Sequence, residues 1–273
     1  MTSVPTRRLN SGAEMPVIGL GVWQVADEVA ADTVATAIGA GYTSIDTAAI
    51  YGNERGVGEG IRRSGTPRET LYVTTKVWND SQGYDATLKA FDKSLSRLGL
   101  DHVDLYLIHW PAPRQGLYLD TWKALEKLNA EGRARSIGVS NFQIPHLERL
   151  FGHSDLRPAV NQIELHPSLQ QAELRAFHAE HGIATEAWSP LQRGAVNKPE
   201  IVAIAAKHGR TPAQAILRWH VQLGTIAIPK SVTPSRIREN IAVFDFELDA
   251  QDMAIIERLD AGLRTGPDPD VFS

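Results

Sequence analysis

The chain repeats one pattern, in which a short apolar run rich in β-branched residues precedes a longer segment with helical spacing. Leu88, Phe91, Leu95 and Leu98 illustrate the helical segments, because apolar residues three and four positions apart share one helix face. Eight apolar runs are strand candidates, at residues 17–21, 44–46, 71–76, 103–109, 134–141, 159–164, 184–188 and 225–230. Continuous apolar runs are typical of parallel strands that are covered on both faces, so the pattern predicts eight βα units.

Eight βα units in 273 residues average about 34 residues each, a length typical of such units. Eight such units close most simply into a (β/α)8 TIM barrel, which is an α/β fold. We expect this barrel to form a single domain over residues 1–273. An N-terminal β-hairpin should close the bottom of the barrel, because Asn10-Ser11-Gly12 supplies turn residues between residues 7–9 and 15–17. Residues 262–273 contain two prolines and little periodicity, and we expect them to form a C-terminal tail over the active-site mouth.

A doubly wound open sheet is the alternative fold. A dinucleotide-binding sheet of that kind would have a glycine fingerprint after the first strand, and the segment from Gly19 to Gln24 lacks the third glycine of that fingerprint.

Two sequence signals predict where helices start. Thr211-Pro212 with Gln214 forms a capping box, and Thr233-Pro234 repeats its opening.

Composition narrows the classes of function. Lys and Arg number 28 and Asp and Glu number 32, so the formal net charge is −4, which argues against a broad surface for nucleic acid or anionic lipid. No apolar run approaches the roughly 18 residues of a membrane span. The absence of cysteine excludes disulfides, thiolate metal sites and cysteine nucleophiles. Residues 1–16 do not resemble a secretory signal, so we expect a cytoplasmic protein. The sequence shows no long apolar patch that would be exposed, so we expect a monomer.

Polar side chains close most of the predicted strands. In a parallel barrel the carboxyl ends of the strands meet at one face, where reactive groups lie. A charged or amide group that ends an apolar run needs a partner or a ligand there. The residues at these ends are Asp46, Lys76, His109, Ser140, Asn141, Gln162, Glu164, Trp188, Lys230 and Ser231.

Asp46, Tyr51, Lys76 and His109 together suggest proton transfer to an oxygen atom. A lysine paired with a carboxylate should favour the ionised form of a nearby phenol, so we expect Lys76 to lower the pKa of Tyr51. A neutral imidazole could hold a carbonyl oxygen while the phenol protonates it. The set contains no nucleophile for the carbonyl carbon, and hydride from a reduced nicotinamide is the obvious donor.

Five separated motifs carry a resemblance to a known family. They are GYTSIDTAAIYGNE at residues 41–54, IHWP at 108–111, IGVSNF at 137–142, QIELHP at 162–167 and IPKS at 228–231. In this order they resemble the aldo-keto reductases, from about residue 7 to residue 260, and most of all the small prokaryotic members of the 2,5-diketo-D-gluconate reductase type. The resemblance implies a (β/α)8 barrel and an NADPH-dependent oxidoreductase that reduces aldehyde or ketone carbonyls to alcohols.

The resemblance also implies roles for individual residues. Tyr51 would be the general acid, tuned by Lys76 and Asp46, and His109 would orient the substrate carbonyl. Residues implied to contact the cofactor are Ser140, Asn141, Gln162, Trp188, Ser189, Leu191, Lys230, Ser231, Val232, Arg236, Glu239 and Asn240. Trp188 departs from the tyrosine that many members use to stack on the nicotinamide, but either ring offers a flat surface.

Arg236 lies in the first turn of a predicted helix, where the helix dipole disfavours a cation, so an anion is expected beside it. The 2′-phosphate of NADPH fits this arrangement with Lys230 and Ser231, and a solvated basic surface is the alternative. The substrate pocket is predicted from Trp23, Ile50, Trp78, His109 and Trp110, with core packing as the alternative for the tryptophans.

Substrates that fit a small pocket with aromatic walls include 2,5-diketo-D-gluconate, methylglyoxal and other small dicarbonyls. A regulatory, nucleotide-sensing binding subunit is the rival from another class, and the complete set of Asp46, Tyr51, Lys76 and His109 favours the enzyme. A metal-dependent barrel hydrolase would need a cluster of His and Asp ligands, and we expect no metal site.

Overall fold

The computed structural model describes residues 4–192 and 194–273. The chain begins with an antiparallel hairpin of β1 (Thr6–Arg8) and β2 (Glu14–Pro16), in which Arg7 lies opposite Met15. Met15 and Leu9 are buried in a cluster with Tyr72 and Ile226, which begin two barrel strands. The hairpin therefore closes the N-terminal end of the barrel, as predicted.

Eight parallel strands follow in sequence order around the barrel. They are β3 (Leu20–Gly21), β4 (Ser44–Asp46), β5 (Tyr72–Val77), β6 (Val103–Ile108), β7 (Ala134–Ser140), β8 (Val160–Glu164), β9 (Ala184–Trp188) and β10 (Ile226–Ala227). Parallel bridges from Ile18 to Ala227 and from Gly21 to Lys230 join the first strand to the last. The amide of Gly19 donates to the carbonyl of Ala227 at 2.9 Å. These bonds close the predicted (β/α)8 barrel.

Ten α-helices surround the strands in the described part of the chain. They are α1 (Asp27–Gly39), α2 (Glu54–Ser64), α3 (Tyr84–Leu98), α4 (Tyr118–Ala130), α5 (Ile144–Phe151), α6 (Ala172–Glu180), α7 (Pro199–Lys207), α8 (Pro212–Gln222), α9 (Pro234–Ile241) and α10 (Ala250–Glu257). Helices α7 and α10 are additions to the βα repeat, and they pack against each other beside α8. No helix in residues 4–192 and 194–273 combines the length and apolarity of a membrane span.

Local sequence explains where these helices start and stop. The periodic residues Phe91, Leu95 and Leu98 are buried on one face of α3, and the helix ends at Gly99, whose φ of 65° suits glycine. The predicted capping box of α8 is present. The backbone N–H of Gln214 donates to Thr211 Oγ1 at 3.3 Å, and the backbone N–H of Thr211 donates to Gln214 Oε1 at 3.0 Å. The Thr233 side chain makes no capping hydrogen bond at the start of α9.

Candidate active site

A buried ion pair lies at the carboxyl ends of β4 and β5. Lys76 Nζ donates to Asp46 Oδ1 at 2.6 Å and to the carbonyl of Thr47 at 2.9 Å. Gln162 Nε2 donates to the other oxygen of Asp46 at 2.8 Å. The side chains of Lys76, Asp46 and Gln162 are all buried. The desolvation cost of a buried ion pair is offset only when its remaining donors and acceptors are hydrogen-bonded, as they are here.

Tyr51 ends a short 3₁₀ helix, Ala49–Tyr51, that follows β4. Lys76 Nζ lies 5.3 Å from the centroid of the Tyr51 ring, and the His109 ring lies 5.7 Å from it, edge on. Loss of water around the phenol raises the pKa of Tyr51, and the charge of Lys76 offsets this only in part. The expectation that Lys76 would lower this pKa below its usual value is therefore wrong, because burial outweighs the lysine charge.

His109 directly follows β6 and is buried against Trp78, with ring centroids 5.0 Å apart. Burial, and then the charge of Lys76, hold the pKa of His109 well below its usual value, so its imidazole is neutral at pH 7. Asn141 Nδ2 donates to the backbone carbonyl of His109 at 2.9 Å and fixes this segment. A neutral imidazole can donate one N–H to an incoming oxygen atom.

Amide and hydroxyl groups continue along the ends of β7, β8 and β9. Ser140 Oγ donates to the carbonyl of Gln162 at 2.8 Å, and Asn141 Nδ2 lies 3.1 Å from Ser140 Oγ. Trp188 Nε1 donates to Asn141 Oδ1 at 2.8 Å. Asn141 adopts a left-handed backbone, with φ of 64°, which asparagine tolerates better than most residues. Trp188 is half-buried, and the partly buried Ser189 and Leu191 follow it in the next loop.

Glu186 also belongs to this region, although it is not among the predicted site residues. It lies opposite Gln162 in the β8–β9 register and is completely buried. Gln162 Nε2 donates to Glu186 Oε2 at 2.8 Å. Burial, and then the charge of Asp46, raise the pKa of Glu186 to about 8. The sequence does contain a signal for Glu186. It lies two residues before Trp188 in the same strand, and alternate residues of a strand share one face, so both side chains lie on the same face.

The basic residues predicted to hold a phosphate lie around the start of α9. Lys230 and Arg236 are exposed, and within residues 4–192 and 194–273 their side chains make no hydrogen bond or ion pair. Ser231 Oγ accepts from the amide of Thr233 at 3.1 Å, whereas Val232 is exposed. Glu239 Oε1 accepts from Thr211 Oγ1 at 2.7 Å, and Asn240 is buried.

The predicted substrate residues form two groups. Trp78 lies beside the His109 ring, and Phe272 packs against both Trp78 and Trp110, with ring centroids 6.2 Å from Trp78 and 4.7 Å from Trp110. Trp23 and Ile50 instead expose 51% and 48% of their surface. Phe272 is a further residue of this aromatic group and is not among the predicted substrate residues.

Glu164 holds the tail that carries Phe272. Its carboxylate accepts from the amides of Thr265 at 2.8 Å and Gly266 at 3.0 Å, from Thr265 Oγ1, and from His166. Burial alone would raise the pKa of Glu164, and these hydrogen bonds outweigh it and lower that pKa to about 2. Gly266 lies so close to the Trp188 ring that a Cβ atom would approach it to 2.5 Å.

Across residues 4–192 and 194–273, no group of three or more His, Asp and Glu side chains is arranged to hold a metal ion. The site contains instead a buried lysine–carboxylate pair, a phenol and a neutral imidazole. This donor set suits proton transfer to an oxygen atom more than metal-assisted hydrolysis.

Comparison with known proteins identifies the family. Residues 17–261 match the model of the aldo/keto reductase family. The chain is 51% identical to the methylglyoxal reductase DkgA of Yersinia pestis, over 100% of this chain and 99% of that protein. It is 53% identical to glyoxal reductase of Bacillus subtilis, over 97% and 96%. The crystal structure of a Gox0644 mutant in complex with NADPH superposes with a TM-score of 0.96, at 49% identity over 100% of both chains. The chain therefore belongs to the aldo/keto reductase family.

Proposed function

We propose that this enzyme reduces aldehyde and ketone carbonyls to alcohols with NADPH, and that Tyr51 is the general acid. One observation carries the proposal: Lys76, paired with Asp46, lies beside the Tyr51 ring, and a neutral His109 flanks the same ring. This arrangement can give a proton to one oxygen atom and stabilise the phenolate that remains.

The pKa values fit this direction of proton transfer. Burial raises the pKa of Tyr51, so the phenol carries its proton at neutral pH. When it releases the proton, the negative charge on its oxygen lies near the Lys76 ammonium, which is fixed by Asp46. His109 contributes an N–H that would hold the substrate oxygen in place without competing as an acid.

The residues present fit a nicotinamide. Both N–H groups of the Gln162 amide point to carboxyl groups, so its oxygen remains for an amide N–H of the cofactor. Ser140 and Asn141 would hold the other side of that carboxamide, and the half-buried Trp188 would stack on the ring. When bound, NADPH supplies the hydride that reduces the carbonyl carbon.

The other end of NADPH would bind at α9. Lys230 and Arg236 are exposed next to the helix N-terminus, whose free amides favour an anion. We assign the 2′-phosphate to this position, with Ser231 as the hydroxyl partner, and adenine to the neighbourhood of Glu239 and Asn240. Leu191, Ser189 and Val232 would line the path between the two ends.

The proposed substrates are small dicarbonyls. Two relatives bear the names methylglyoxal reductase and glyoxal reductase, and three aromatic side chains, Trp78, Trp110 and Phe272, pack together beside His109. Methylglyoxal is the smaller candidate, and 2,5-diketo-D-gluconate is the larger candidate. Trp23 and Ile50 would contact only the outer part of a larger substrate, since both are half exposed.

Replacement of Tyr51 by phenylalanine tests the function. The substitution removes the only proton of the side chain that titrates and keeps the ring, so we expect turnover of methylglyoxal to fall by about 10²- to 10⁴-fold. NADPH consumption gives the rate, and quenching of tryptophan fluorescence gives the NADPH dissociation constant, which should not change. Tyr84→Phe, at an exposed position of α3, is the control. Full turnover by the Tyr51 variant would remove Tyr51 from the mechanism. NADPH binding by a wild-type protein that reduces no carbonyl would favour the nucleotide-sensing alternative.

A further inference from the structure

Glu186 differs from the other buried carboxyl groups of the described structure. Six acidic side chains are buried in residues 4–192 and 194–273, and five of them have a basic partner. The five are Asp46, Glu54, Asp104, Glu164 and Asp252, and Glu186 makes no ion pair with any described residue. An unpaired buried carboxyl group destabilises a fold, which suggests that this one has another use.

The hydrogen bonds of Glu186 lead to the cofactor site through a single residue. Gln162 Nε2 donates one hydrogen to Glu186 Oε2 and the other to Asp46 Oδ2, each at 2.8 Å. An amide nitrogen has two hydrogens, so both are committed. The reverse amide orientation would place the Gln162 oxygen against Asp46 Oδ2, and two acceptor oxygens repel each other. The two carboxyl groups thus determine which atom of Gln162 is left over, and it is the oxygen.

We propose that Glu186 is a positioning residue, which together with Asp46 fixes the Gln162 amide so that its oxygen accepts a hydrogen bond from the nicotinamide carboxamide. The proposal rests on the NADPH-dependent function given above. Glu186 itself touches neither cofactor nor substrate in this scheme. It acts through Gln162 and determines how tightly, and in which orientation, the ring is held.

Glu186 also affects the proton donor through its charge. The titratable groups that face it are Asp46 and Lys76, together with Tyr51 and Tyr72. With a pKa of about 8, Glu186 is mostly neutral at pH 7, half ionised near pH 8 and mostly ionised above it. The ionised form raises the pKa of Tyr51, so Tyr51 keeps its proton to higher pH. The hydrogen bond to Gln162 acts at every pH, whereas the charge grows as the pH rises through about 8.

Two variants separate these effects. Glu186→Gln keeps an oxygen that can accept from Gln162 but cannot ionise. Glu186→Leu removes the acceptor, so one hydrogen of the Gln162 amide loses its partner and only Asp46 still holds the amide. We expect the leucine variant to bind NADPH about tenfold more weakly at pH 7, the loss typical of one buried hydrogen bond. The glutamine variant should bind NADPH like the wild type at pH 7. Its decline in kcat/KM at alkaline pH should begin at a lower pH than that of the wild type.

The measurements are the NADPH dissociation constant by fluorescence and kcat/KM for methylglyoxal between pH 6 and pH 10.5, with thermal unfolding as the check on folding. An unchanged dissociation constant in the folded leucine variant would overturn the proposal. So would a glutamine variant that binds as weakly as the leucine variant, because the effect would then come from packing. If the leucine variant does not fold, Glu186→Thr replaces it, since its hydroxyl is too short to reach Gln162. Failure of the proposed function looks different, because it would appear in the wild type as absent NADPH binding or in Tyr51→Phe as undiminished turnover.

Discussion

At the scale of single residues, the site depends on which charges are paired. Lys76 is fully buried with Asp46, whereas Lys230 and Arg236 are exposed, and no ion pair of the described residues involves them. A cation in the first turn of α9 opposes the helix dipole and destabilises the free protein slightly. The same position becomes favourable when a phosphate binds there, because the helix N-terminus and the guanidinium then attract the same anion.

This arrangement predicts the effect of Arg236→Leu on cofactor choice. The substitution removes the proposed contact to the 2′-phosphate, so the NADPH dissociation constant should rise about tenfold or more, as expected for a hydrogen bond to a charged group. The NADH dissociation constant should stay nearly unchanged, because NADH lacks that phosphate. Fluorescence titration with both cofactors measures the difference.

Arg238→Leu is the matched control, because Arg238 is also exposed on α9 but lies two residues further along the helix. It should affect both cofactors little. Equal weakening of NADPH and NADH by Arg236→Leu would show that Arg236 does not bind the 2′-phosphate.

The strand ends were predictable from sequence to a large extent. Asp46 and Lys76 end neighbouring runs, and neighbouring parallel strands bring such ends together, so their pairing follows from the order of strands. The direction of the pKa shift of Tyr51 was not predictable, because it depends on how many atoms of distant segments surround the phenol. Glu186 is not predicted by the apolar pattern, because that pattern indicates an apolar strand interior, whereas a barrel interior beneath a polar site can hold a carboxyl group.

At the scale of secondary structure elements, α2 packs unusually close to its neighbours. Its sequence from Gly56 to Gly60 has glycine at every second position. A Cβ atom at Gly56 would lie 2.2 Å from the carbonyl oxygen of Asp27 in α1, and one at Gly58 would lie 2.0 Å from that of Leu98 in α3. Glycine lowers helix stability relative to alanine. These glycines are needed because the backbones of α1 and α3 lie so close to α2 that no Cβ atom would fit between them.

We therefore expect Gly58→Ala to lower the free energy of unfolding by about 2 kcal/mol or more, within the range of overpacking substitutions. Alanine ordinarily stabilises a helix relative to glycine, so the sign itself tests the close contact. Gly39→Ala is the matched control, because Gly39 also lies in a helix and no atom lies within 4 Å of its added Cβ. It should leave the stability unchanged or raise it. Urea unfolding followed by circular dichroism measures both, and a stabilised Gly58 variant would contradict the expectation.

The order of elements was predicted better than their number. Each of the eight apolar runs overlaps one barrel strand, because continuous β-branched runs are typical of strands buried on both faces. The extra helices α7 and α10 were not anticipated, since a helical pattern reveals a buried face but not which neighbour covers it. Helices α7 and α10 cover each other at the side of the barrel. This contact joins segments that are far apart in the sequence, so it exists only in the folded protein.

At the scale of the whole molecule, the C-terminal tail links distant parts of the barrel mouth. It leaves α10, is held by Glu164 at the end of β8, passes the Trp188 ring at Gly266, and brings Phe272 to Trp110 after β6. A loop without regular structure would ordinarily contribute little to stability. The buried carboxylate of Glu164 changes this, because removal of Thr265 and Gly266 would leave it without most of its hydrogen bonds.

Two truncations separate the two roles of the tail. A chain that ends at Pro267 keeps the contacts to Glu164 and loses Phe272, so its stability should be nearly that of the wild type while its selectivity changes. A chain that ends at Gly262 also loses the contacts to Glu164 and should be less stable by about 1–3 kcal/mol, the cost of unsatisfied buried groups. In both chains, kcat/KM for 2,5-diketo-D-gluconate should fall more than for methylglyoxal, because the remote part of the larger substrate loses its contacts.

The pH dependence of stability provides a further test of the Glu164 contacts. The folded-state pKa of Glu164, about 2, lies below the ordinary value of 4.5, so the stabilisation is complete above pH 4.5 and is lost as the pH falls towards 2. The chain that ends at Gly262 lacks these contacts at every pH. The difference in free energy of unfolding between the two truncated chains should therefore be largest at neutral pH and shrink below pH 4.5. Urea unfolding at a series of pH values measures it. A difference that does not change with pH would show that the tail is held by its apolar contacts rather than by Glu164. In the activity measurements, equal losses of kcat/KM on both substrates would show that selectivity depends on the loops that follow the strands.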